Sequence, residues 1–120
     1  PATEMNLLQV NNMANGKASP TPCVATSGMY YRDHKAPGGA FVLFRYVLSC
    51  CAADAQPVMI PVRTQTHEVF TNDTWVRVEG TVSIFTNARG IVIPLVEATR
   101  TQCIPVPPRN EQYLYPMMGW

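Results

Sequence analysis

Cys50 and Cys51 stand side by side in the segment LSCCAADAQP, with Asp54 three positions after the second. Two thiolates and a carboxylate are a ligand set for a zinc or copper ion, and His34 or His67 is available to complete four donors. Adjacent side chains on an extended strand point to opposite faces, so both sulfurs reach one ion only if the strand breaks at 50–51. A redox reading fits the same pair, because a disulfide between neighbours closes a small strained ring that is easily reduced. A structural reading fits too: one cysteine fills an interior as a small apolar residue, Asp54 caps the turn, and Ala52, Ala53 and Ala55 let the chain pack closely as it bends. Cys103 approaches the pair if the third and fifth strands lie side by side, and is otherwise a buried thiol.

Arg45 interrupts the apolar run AFVLFRYVLSC. It either faces solvent or is buried against Asp33, Asp54 or Glu79, since a guanidinium buried without a partner costs too much. Tyr30, Tyr31, Phe44 and Tyr46, with Arg32 and Arg45 alongside, have the makings of a stacking platform for bases, although aromatic residues at strand spacing equally build a core. Charge decides against the first use. Lys and Arg number 9 against 8 Asp and Glu, a net charge of +1 with no basic block, whereas nucleic-acid binders rely on phosphate contacts. No Ser-His-Asp order, phosphate-cradling glycine loop or paired-carboxylate spacing is present, so the expectation is a non-enzymatic protein.

The elements that must position these residues are strands. Residues 23–33 alternate and turn aromatic, with Gly28 where a bend is tolerated. Residues 40–50 are apolar on both faces, as in a strand covered on two sides. QPVMIPVRT places Val58, Ile60 and Val62 at period two, and Pro57 and Pro61 predict a short or edge strand. TNDTWVRVEGTVSIF sets Val76, Val78, Gly80, Val82 and Ile84 on one face against Trp75, Arg77 and Glu79 on the other. IVIPLVEATRTQCIP makes a fifth strand, interrupted at Pro94. Ahead of them, Leu7, Leu8 and Val10 form one or two helical turns, and ANGKASPTP is a loop.

Five strands, glycines inside two of them and no helix of ordinary length predict a small closed antiparallel barrel, since closure removes exposed edges. The expected class is all-β, a five-stranded OB-like Greek-key barrel, with an SH3-like barrel or a sandwich as the competing architecture. The helix usual between the third and fourth strands of an OB-fold has barely two turns of room in RTQTHEVFTND, where His67 lies. At 120 residues one domain is expected, organised as residues 1–21 (short helix and loop), 22–105 (barrel) and 106–120 (extended Pro-rich tail). Four cysteines are too few to staple a chain that can build this core. No apolar run approaches the roughly 20 residues that cross a bilayer, so no membrane-spanning segment is expected in this chain, which reads as a soluble domain.

GMYYRD, FVLFRYVLSCCAADAQPVMIPV, DTWVRVEGTV and IVIPLVEATRTQCIPVPPRNEQYLY carry a resemblance. In this order they are similar to the soluble C-terminal domain of an uncharacterised bacterial family of predicted permease subunits, and CCAADAQP is the most specific element. The resemblance implies an accessory domain of unknown biochemical role, attached to N-terminal transmembrane helices in the full-length protein and partnered by a neighbouring membrane permease. Charged residues make up 14% of the chain, low against about 25% for a soluble domain. Together with the apolar, Pro-rich ending YLYPMMGW, this points to contact surfaces, for a partner or for a homodimer, unless the tail straps onto its own barrel. The expected function is an interaction module, with sensing or handling of a metal ion through Cys50, Cys51 and Asp54 as a further expectation; the alternative is an OB-type binder of a small ligand or single-stranded nucleic acid.

Overall fold

The computed structural model describes residues 2–14, 23–33, 39–48, 54–65 and 70–115. Each apolar run of the sequence is a strand. In chain order the elements are β1 (Thr3–Glu4), α1 (Leu7–Ala14), β2 (Cys23–Tyr31), β3 (Ala40–Val47), β4 (Gln56–Thr64), β5 (Trp75–Thr86), β6 (Val92–Cys103), a 3-10 turn (Arg109–Glu111) and β7 (Tyr113–Leu114). The sheet runs β1-β2-β5-β6-β4-β3-β7, and an added β2–β3 pairing closes the five long strands into a barrel. Four of the five closing seams are antiparallel; β4 and β6 run parallel, with Val62 opposite Val96. Closure of one five-stranded sheet is the expected OB-like Greek-key architecture and excludes a sandwich.

Period-two alternation fills the interior. Leu43, Ile60, Val62, Val76, Val78 and Val96 are all essentially inaccessible to water. A register shift at Glu79/Gly80 bends β5 against β6, and a Cβ on Gly80 would sit 2.1 Å from the Glu97 carbonyl oxygen. Only glycine permits that approach, which lets the long strands coil around the barrel.

The barrel floor is made by α1, which comes before the first barrel strand, whereas the OB helix was expected between the third and fourth. Residues 66–69, within that stretch, lie outside the described residues. Asn6 caps α1 by a reciprocal pair: the Gln9 amide N–H donates to Asn6 Oδ1, and the Asn6 amide N–H donates to Gln9 Oε1, both at 2.8 Å. That capping box starts the helix one residue before Leu7. Leu7, Val10 and Met13 then fall on one face and are buried against the barrel. Each such burial stabilises by about 1.5–3 kcal/mol.

The three prolines expected to limit strands are accommodated inside longer ones. β4 runs nine residues because it pairs with β6 only from Val62 onward, so Pro57 and Pro61 lie where one edge is open and a missing donor costs no ladder bond. β6 continues through Pro94 for the same reason. Among the described residues no helix is long and apolar enough to cross a membrane.

Candidate functional site

The β2–β3 seam is a fork. It holds only from Met29–Tyr31 against Phe44–Val42. Beyond that point β1 takes the free edge of β2, pairing parallel at Val24 and Ala25, and β7 takes the free edge of β3, pairing parallel at Tyr46 and Val47. β1 and β7 thus complete the barrel wall where its strands diverge. The Leu48 amide donates to the Leu114 carbonyl at 2.8 Å, and Leu114 joins the hydrophobic core, so the tail as far as Tyr115 is a strap on its own barrel. Residues 116–120 lie outside the described residues.

Arg45 sits in this fork. Strand alternation puts it on the inward face with Phe41, Leu43 and Val47, and only 8% of it is exposed. Its Nη2 donates to the main-chain carbonyl of Glu111, and its guanidinium lies 5.3 Å from the centre of the Trp75 ring. Gly28 makes room for the stem, since a Cβ there would stand 3.4 Å from Arg45 Cγ and 3.0 Å from the Phe44 carbonyl. Burial lowers the affinity of this guanidinium for its proton, and the Glu111 charge offsets that only in part. Of the two settings the sequence allows, the buried one holds, but the partner is a tail carbonyl in place of Asp33, Asp54 or Glu79. A main-chain acceptor leaves no signature in residue type.

The outer face of β2–β3–β4 is apolar. Phe44 stands opposite Met59, Val42 opposite Pro61, and Tyr31 opposite Val42. Phe44 and Tyr46 pack edge to face with ring centres 6.0 Å apart, while Met59 remains 61% exposed. Of the four aromatics considered for a platform, Tyr30 is not available: it is buried against Phe41 and Phe70 in the core. Arg45 is absent from this face because it points inward. Arg63, at its edge, is paired with Glu97.

Cys50, Cys51, His34 and His67 lie outside the described residues. Asp54 is half-buried ahead of β4. Cys103 is exposed, opposite Val76 of β5. The third and fifth barrel strands are indeed neighbours, yet the parallel register leaves Asp54 before their contact and Cys103 after it, toward opposite ends. Among the described residues no group of three or more His, Cys, Asp or Glu side chains could hold a metal ion.

The model of a family described as the DUF1980 C-terminal domain matches residues 21–116. No curated protein matches the chain. Among solved structures, the crystal structure of a DUF3299 family protein from Pseudomonas aeruginosa PAO1 aligns with a TM-score of 0.56, covering 90% of this chain and 99% of that one at 14% identity. At that identity the likeness is one of fold.

Proposed function

The chain belongs to the DUF1980 C-terminal domain family, and from this footing we propose that it is a non-enzymatic interaction module that binds a protein partner on the outer face of β2–β3–β4. The observation that carries the reading is the continuous apolar surface of Tyr31, Val42, Phe44, Tyr46, Met59 and Pro61, built by cross-strand pairs on one side of the barrel. Contiguous apolar and aromatic surface of this kind marks contact sites. The resemblance to permease subunits supports a membrane permease as the proposed partner, with the domain as its accessory.

A face of this composition also stacks bases in single-strand binders. Among the described residues, the inward course of Arg45 and the engagement of Arg63 with Glu97 take these two cations out of play on the face, which weighs for an apolar protein partner.

The test is co-expression of the full-length protein with the permease encoded beside it, followed by detergent extraction and co-purification. The Tyr46→Glu/Met59→Glu double variant, folded by circular dichroism, should lose the permease, and Arg89→Glu, on the far hairpin, should retain it. Unchanged recovery with the double variant removes the reading, as does salt-dependent affinity of the domain for an oligo-dT probe that the same variant abolishes.

A further inference from the structure

At one end of β5 and β6 the sheet narrows to two strands. β2 pairs with β5 only as far as Thr81, and β4 meets β6 only from Val96. Among the described residues, 82–86 and 92–95 therefore pair only with each other, and this hairpin runs roughly 15 Å past the last flanking pair, at about 3.3 Å for each residue of strand. Its end is apolar. Ile84, Phe85, Ile91 and Val92 are each between 42% and 53% exposed, a cluster separate from the outer face of β2–β3–β4.

The placement of these side chains favours lipid over a protein surface. Phe85 stands opposite Ile93, and Thr86 opposite Val92; paired residues share a face and successive ones alternate, so Ile84 and Val92 lie on one side of the ribbon and Phe85 on the other. A protein partner covers one side, whereas a bilayer surrounds both. The turn, in addition, supplies its own hydrogen bonds. The Asn87 amide donates to the Ile91 carbonyl and the Gly90 amide to the Asn87 carbonyl, both at 2.9 Å, while Asn87 Oδ1 accepts from the amides of Arg89 and Ile91 at 2.9 and 3.0 Å. Donors satisfied in this way can leave water, which unpaired ones cannot do cheaply. Charge agrees as well. Residues 81–96 contain no carboxylate, and their one charged side chain is Arg89, which takes part in no ion pair among the described residues.

We propose that the tip of the β5–β6 hairpin inserts into an anionic lipid surface, with Ile84, Phe85, Ile91 and Val92 among the upper acyl chains and Arg89 reaching back to the phosphates. Interfacial insertion goes about 5–10 Å deep, less than the length of the free ribbon, so water still reaches the open strand edges nearer the barrel. The contact needs a bilayer and ends on detergent extraction. It is therefore separate from the permease test, in which Arg89→Glu keeps its partner.

The probe is a vesicle of two parts phosphatidylcholine to one part phosphatidylglycerol, with phosphatidylcholine alone as the second arm. Partitioning is read by co-flotation over a series of lipid concentrations, and the contact is located by the broadening of ¹⁵N–¹H signals with a doxyl-labelled lipid. Broadening centred on the amides of residues 84–92 is expected. The Phe85→Ser/Ile91→Ser double variant changes exposed positions only and should partition at least tenfold more weakly into both vesicles. Arg89→Gln should lose about fivefold on the anionic vesicle and nothing on the neutral one, since one basic residue near an anionic surface contributes about that much. Absence of flotation overturns the proposal, as does flotation unchanged in the double variant. Broadening centred on Tyr46 and Met59 places lipid on the other face and overturns it too, and a dimer that the double variant dissolves, without lipid binding, gives the tip to a second copy of the chain instead.

Discussion

The Arg45 guanidinium donates to the main-chain carbonyl of Glu111 and so ties the C-terminal tail into the fork left by β2 and β3. This bond joins the least exposed cation among the described residues to a segment whose prolines keep it from forming a long strand of its own. The tail is thereby part of the fold. Replacing Arg45 by Met keeps the stem that packs over Gly28 and removes only the charged head, so the global cost should be small or nil: losing the hydrogen bond and the ring contact is offset by the relieved burial of a charge. The local effect should be large. Hydrogen exchange at the Leu48 amide, which depends on the Leu114 carbonyl, should accelerate well beyond that at core amides of β5. Equal protection of Leu48 in both proteins contradicts the strap.

Thr26 presents the opposite case, a polar group in the interior that the described residues leave unsatisfied. It is 2% exposed, faces Val78 across the β2–β5 seam, and its hydroxyl has no hydrogen-bond partner among the described residues. Valine has the same shape without the desolvated hydroxyl. Thr26→Val should raise stability by about 1 kcal/mol in urea unfolding, at an unchanged m-value. A loss of stability would mean that the hydroxyl is engaged.

Gly80 and Gly90 separate steric from conformational demands on glycine. A Cβ on Gly80 would overlap the Glu97 carbonyl and the Ala98 Cα, whereas one on Gly90 meets nothing within 4 Å and strains only a backbone at φ +81°. Gly90→Ala should cost about 1 kcal/mol. Gly80→Ala must push β5 and β6 apart and should cost more than about 3 kcal/mol or prevent folding. Comparable denaturation midpoints for the two variants would show that β6 yields easily at its bulge.

These features differ in how far the sequence announces them. β3 and β5 are legible because their inward residues are apolar at period two, which permits few other structures. Barrel closure follows from the lack of any element to cover a sheet edge. The helix was legible at Leu7–Val10, but its place on the barrel floor was not, since helix position depends on which end of the barrel is open, a tertiary fact. Pro94 reads as a break because proline lacks the ladder donor, and the reading misses that β6 has a single neighbour at that point. For Arg45, the sequence showed that a charge in an apolar run needs an acceptor. Nothing in residue types could show that the acceptor is a carbonyl in the tail.

The ion-pair cluster that attaches β1 allows a pH prediction. Arg77 bonds Glu4 of β1 and Glu79 of its own strand, and hydrogen bonds to these carboxylates raise its affinity for the proton. A group raised in the folded state stabilises fully below its unfolded value and loses that contribution only as pH climbs through the folded one. For an arginine both lie in strong alkali, so from about pH 6 to about pH 9 Arg77 should contribute no pH dependence. Its sensitivity is instead to salt. Glu4 is largely exposed, so Glu4→Gln should cost no more than about 1 kcal/mol at low ionic strength and almost nothing in molar salt. A cost that persists in high salt would place this pair among the buried interactions.

The capping box and the apolar face of α1 can be ranked against each other. Asn6→Ala removes one side-chain acceptor from the helix start and should cost about 1 kcal/mol. Leu7, one residue on, is fully buried in the core cluster; Leu7→Ala opens a cavity under the barrel and should cost about 2–5 kcal/mol. Measured by urea denaturation, the order should be Leu7→Ala well above Asn6→Ala, with exchange protection lost first at amides of β4 and β6, the strands on which α1 chiefly packs. If Leu7→Ala costs no more than the cap, the barrel interior closes without its helix, and α1 is an attachment to the fold and not its floor.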